Sequence, residues 1–120
     1  MADETQVLDR SVLAELRESV GGDDAFIADL VATYLAETAD HLTAMDAATQ
    51  AGDAAAIVRP AHTLKSSSAA LGALRLAAIA RDIEMCGRAG DAGDLAARVA
   101  DARATWAETL REMAAAGLTK

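Results

Sequence analysis

The groups in this chain best suited to chemistry fall in one stretch, PAHTLKSSSAALG, from Pro60 to Gly72. It holds His62, Lys65 three residues on, and then Ser66, Ser67 and Ser68. An exposed imidazole with a pKa of about 6.5 is substantially neutral at pH 7 and keeps one ring nitrogen free as a nucleophile. Histidine forms covalent intermediates in this way. Lys65, at i+3 on a helix, can bring its ammonium to a group attached to His62. The chain otherwise prefers arginine, with nine Arg against two Lys, and the second lysine is Lys120. A compact ammonium suits the charge on a transferring phosphoryl group, whereas a guanidinium fork would clamp it.

The serines are poorer helix formers than the alanine used freely nearby. Ser66, at i+4 from His62, is small enough to let another protein reach the imidazole, and its hydroxyl could bond a phosphoryl oxygen. Ser68 is expected to point inward and bond back to the carbonyl of Leu64. Ser67 reads as a solvated helix residue.

These side chains must be carried by a helix. At about 100° per residue, Ile57, Ala61, Leu64, Ser68 and Leu71 form one inward stripe, and His62 lies about 140° from its centre, facing out beside Val58, Lys65, Ser66 and Ala69. Spacing alone leaves two readings open, a phosphoryl-accepting pair or two ordinary solvated residues. Pro60 removes a backbone N–H inside this pattern. Either the helix from Asp53 continues through a kink or a new one begins with Pro60 at its first position, and the unbroken stripe favours the kink.

Alanine supplies 32 of the 120 residues and proline one, which favours helix nearly throughout. Asp9 is expected to cap a short amphipathic helix with Val12, Leu13 and Leu16 inward, stopped at Gly21-Gly22. A long helix follows from Asp23 or Asp24 to Gly52, with Ile27, Leu30, Val31, Tyr34, Leu35, Leu42 and Met45 at helical spacing. The next runs from Asp53 to Leu71-Gly72. A fourth ends near Gly87 to Gly90, and a fifth runs from Asp91 or Asp94 to about Ala116. Short connections force consecutive helices antiparallel. The expected fold is all-α, an antiparallel up-down-up-down four-helix bundle with a short N-terminal capping helix. One domain over residues 1–120 is expected, residues 1–8 being a tail or packing on the short helix.

Charge and composition exclude several classes. A net charge of −8 argues against nucleic acid as a partner. The charge is uneven: residues 1–58 hold 12 acids and 2 bases, whereas 59–120 hold 7 acids and 9 bases. No apolar run approaches a membrane span, and no N-terminal stretch resembles a signal peptide. A cytoplasmic protein with no membrane partner is expected, and a monomer is the default. No Gly-rich phosphate loop could hold ATP. A metal or haem bundle is the rival class. It would need His41, near Glu37 and Met45, but no Glu-x-x-His spacing occurs and Cys86 stands alone. His41 reads better as a boundary residue.

AHTLKSSSAALGA, with the helix before it and LRLAAIARDIE after it, resembles the signature of histidine-containing phosphotransfer domains of phosphorelays. The LD..VL..L opening, the F..DL...YL helix and the GD turn extend the resemblance over most of the chain. It implies an antiparallel four-helix bundle whose exposed histidine carries a phosphoryl group between receiver-domain aspartates. By position, His62 would be phosphorylated and Lys65 would assist electrostatically. Ser66 stands where the family often has glycine. Glu84 matches a position where members carry a polar side chain that hydrogen-bonds the histidine ring. Any Mg²⁺ and acidic cluster would belong to the receiver, so no cofactor of the chain's own is implied. The implied partners are receiver domains of response regulators or hybrid histidine kinases. The alternative is a helical adaptor that binds such domains without phosphotransfer.

Overall fold

The computed structural model describes residues 4–119. Five helices follow one another: α1 Arg10–Ser19, α2 Asp24–Gln50, α3 Ala54–Ala70, α4 Leu74–Arg88 and α5 Leu95–Ala115. No strand occurs among the described residues. α2 to α5 form the four-helix core, and α1 packs across one end of it through Leu13.

Local chemistry sets the boundaries. The Asp9 carboxylate accepts from the Ser11 N–H, Asp23 from Phe26 and Asp53 from Ala56, each satisfying an N–H that a helix start leaves open. α3 ends at Gly72, whose φ of +81° is costly for a residue with a Cβ. Gly72 is doubly constrained, since an added Cβ would lie 2.6 Å from the Asp9 carbonyl oxygen.

α3 runs unbroken through Pro60, as the common stripe predicted. Ile57, Ala61, Leu64 and Ser68 are all fully buried, so packing along the whole stripe outweighs the one helical bond Pro60 cannot make. Ile57, Ala61 and Leu64 share one core cluster with Leu76, Ala80 and Ile83 of α4, which are also fully buried. Truncating one of these large side chains to alanine costs about 2–5 kcal/mol.

Two features of the packing were not visible in the sequence. The first is Ser68. Its hydroxyl does not return to the Leu64 carbonyl; it pairs at 2.7 Å with the buried Tyr34 hydroxyl from α2. Tyr34 in turn meets the edge of Trp106 of α5, with centroids 5.4 Å apart. Burial first of all pushes the Tyr34 hydroxyl up to about 12, so it remains a neutral hydrogen-bonding group. The second is Gly87. It is the penultimate residue of α4, which ends where expected, and an added Cβ would sit 2.8 Å from Ile57 Cγ2 and 2.9 Å from the Ala54 carbonyl oxygen. Glycine there lets α4 approach α3 one turn from His62.

The start of α4 has no side-chain cap. The segment preceding α1 serves it: the Arg75 N–H donates to the Gln6 carbonyl, and the Arg75 guanidinium donates to the Thr5 carbonyl and to Glu108. Val7 and Leu8 are buried, and Asp9 donates its N–H to the Gly72 carbonyl. α4 is thus held at its start by residues 5–9 and along its length by α3.

Candidate functional site

α3 and α4 run antiparallel and bring position 84 beside position 62. His62 is exposed on the outer face of α3, with 54% of its side chain open to solvent, while the Glu84 side chain is only 6% open. His62 Nδ1 lies 2.9 Å from Glu84 Oε2. Lys65 donates from Nζ to Glu84 Oε1 at 2.7 Å. Arg88, one turn along α4, donates to Oε2 from Nε at 3.0 Å and from its terminal nitrogen at 2.7 Å.

The buried carboxylate therefore accepts from two cations and an imidazole. The Lys65 hydrogen bond and then those from Arg88 hold its pKa down to about 2, against the opposing pull of burial and with a smaller contribution from His62. A carboxylate ionised at neutral pH has no proton to offer. The proton in the His62–Glu84 bond consequently sits on Nδ1, so that in the neutral form of the ring the lone pair is on Nε2.

His62, Lys65 and Glu84, expected at the site from the sequence, come together around that carboxylate. Ser66 lies on the same exposed face, and its hydroxyl donates to the His62 carbonyl at 3.2 Å. Ser67 likewise donates to the Thr63 carbonyl at 3.0 Å. His41 is elsewhere, half-buried on α2. Among the described residues no group of three or more His, Cys, Asp and Glu gathers as a metal site would require.

Arg88 was missed by sequence reasoning. The i,i+4 spacing of Glu84 and Arg88 is a recognisable ion-pair signal, but only the α3–α4 contact makes it part of the site. A shallow groove opens beside His62, lined by Ala55, Val58, Arg59, Thr63 and Arg88. A second depression, on the other side, is bordered by Lys65, Ala69, Leu74 and Arg81. Val58, on the outward face beside His62, lines the first of these hollows, and Ala69 the second.

A model of the Hpt domain family matches residues 29–116, which include all four helices of the core but the first turn of α2. The chain belongs to the Hpt domain family. It is also similar to the crystal structure of histidine-containing phosphotransfer protein B (HptB) from Pseudomonas aeruginosa PAO1, with 30% identity and a TM-score of 0.76 over 86% of this chain and 87% of that one. No curated protein matches the chain. As an Hpt domain, the chain is a histidine-based phosphorelay intermediate, a phosphoryl carrier without an ATP site of its own. Hpt domains interact with receiver and kinase domains. No helix among the described residues is long and apolar enough to cross a membrane.

Proposed function

We propose that His62 is the residue that carries the phosphoryl group, accepting it at Nε2 from a receiver-domain aspartyl phosphate and passing it to another response regulator. The observation that carries this reading is the Nδ1 to Glu84 bond, which leaves the Nε2 lone pair on the solvent side of the ring. In the forward step that lone pair attacks phosphorus, the bond from phosphorus to the aspartyl oxygen breaks, and its electron pair leaves on the aspartate. No proton has to move. The ring becomes cationic, with its remaining proton on Nδ1 against the Glu84 carboxylate, which stabilises that charge as it develops. The reverse step returns the phosphoryl group to a second receiver.

Lys65 has three N–H donors, one of them on Glu84. The other two can meet phosphoryl oxygens without the ammonium leaving its carboxylate. Ser66 keeps the face low so that a receiver can reach the ring. A single domain over 1–120, acting as a cytoplasmic monomer with no nucleic-acid or membrane partner, is part of the same reading; the net charge of −8 supports the absence of a nucleic-acid partner.

The test is to mix the chain with a phosphorylated receiver and follow an acid-labile, base-stable phosphate onto it. His62→Gln is expected to abolish the transfer with its helical circular dichroism unchanged. Transfer to the variant at the original rate, or loss in His41→Gln instead, would place the site elsewhere.

A further inference from the structure

Three cations stand close to His62, and they are not equivalent. Lys65 and Arg88 are both bound to Glu84. Arg59 is exposed, and none of the ion pairs or side-chain hydrogen bonds found among the described residues includes its guanidinium. It lies three residues before His62 on α3, about 60° away around the helix, so the two side chains are neighbours on one face. Both line the same groove, whose other walls are Ala55, Val58, Thr63 and Arg88.

That groove has two guanidinium groups and no carboxylate on its walls, in a chain with a net charge of −8. Two like charges side by side repel, and the second has no anion to offset it unless one visits. Lys65 approaches His62 from the C-terminal side of α3, and the groove approaches it from the N-terminal side. A phosphoryl group on Nε2 would leave the ring on the edge away from Glu84, between these two flanks. Its oxygens would carry the charge that the groove lacks, and the planar fork of an arginine matches two of them at once.

We propose that Arg59 is the phosphoryl ligand of the groove, contacting the non-bridging oxygens of the group on His62 both during transfer and in the phosphohistidine. This rests on the reading of His62 as the acceptor. Arg88 holds Glu84 from behind, so Arg59 is the cation free to move onto the phosphate.

Phosphoramidate tests this without a partner surface. Phosphoramidate reacts as its N-protonated zwitterion: the His62 Nε2 lone pair attacks phosphorus, the P–N bond breaks, and ammonia leaves with the electron pair and the protons already on nitrogen, while the ring keeps its proton on Nδ1. The labelling rate of the full chain and the lifetime of the product are followed by phosphorus NMR, for the wild type, Arg59→Gln, Arg59→Lys and His62→Gln. Arg59→Gln is expected to label about tenfold more slowly and to lose its phosphate faster, from the loss of one charge-assisted contact. Arg59→Lys should recover part of both. Because Arg59 is exposed, the variants are expected to melt as the wild type does. Equal labelling and equal lifetimes in Arg59→Gln overturn the proposal and leave the His62 reading intact. So does a defect that appears only with a receiver as donor, which would make Arg59 a docking residue. Labelling of His62→Gln as fast and as fully as the wild type would overturn the reading of the site itself.

Discussion

Replacing Glu84 with glutamine keeps its shape and removes its charge. In the native site the carboxylate takes four hydrogen bonds, one from Lys65, two from Arg88 and one from His62. Glutamine offers a single acceptor oxygen and turns an NH₂ toward at least one cation. Hydrogen bonds to charged groups contribute about 1.5–3 kcal/mol each, but His62 and Arg88 are largely exposed, so solvent recovers much of that. The expected loss of stability at pH 7 is about 1–2 kcal/mol, or roughly 4–8 °C in Tm for a domain of this size. The pH dependence has a definite sign. The Glu84 pKa is depressed from 4.5 to about 2, so its contribution is present above pH 4.5 and is lost as pH falls through about 2. Urea titrations of the two proteins should therefore differ most near neutrality and converge toward pH 2. Transfer from a phosphorylated receiver should slow by about 10–100-fold, because the ring cation loses its carboxylate. A gap that persists undiminished at pH 2, together with a wild-type transfer rate, would refute the account of Glu84.

Other substitutions address separate parts of the account. Lys65→Ala should slow transfer or shorten the lifetime of the phosphohistidine with the helical content preserved; unchanged kinetics with every receiver tried would reduce Lys65 to a structural partner of Glu84. Gly87→Ala gains helix propensity but places a Cβ against the Ala54 carbonyl and Ile57, so a net loss of about 1–2 kcal/mol is expected in thermal melts. A rise in Tm would show that α3 and α4 can separate at no cost. Tyr34→Phe and Ser68→Ala each leave one buried hydroxyl without its partner and should cost about 1–2 kcal/mol, while the double variant should cost less than their sum in a double-mutant cycle.

The parts of this molecule written in local sequence were the readable ones. Capping aspartates at 9, 23 and 53 and the glycines that follow α1, α2 and α3 mark helix ends through short-range chemistry. The stripe through Ile57, Ala61, Leu64 and Ser68 gave the outward direction of His62 from periodicity alone. Spacing could not choose between a solvated His62–Lys65 pair and a working one, since the difference lies on another helix. Glu84 entered through a family likeness, and its ionised state follows only from Lys65 and Arg88 converging on it. Arg88, Gly87 and the Tyr34–Ser68 bond depend on how α3 meets α4 and α2, which no periodicity records. Ser68 fell on the expected face, but its partner did not lie on its own helix. A polar residue on an inward stripe signals burial without naming its partner.

The central claim concerns one nitrogen of one side chain. The most direct measurement is phosphorus–nitrogen and proton–nitrogen correlation NMR on the chain labelled by a phosphorylated receiver. The account predicts a single phosphorylated histidine, His62, with phosphorus on Nε2 and the remaining proton on Nδ1, absent from His62→Gln. Phosphate on Nδ1, on His41, or on the His62→Gln variant would contradict it.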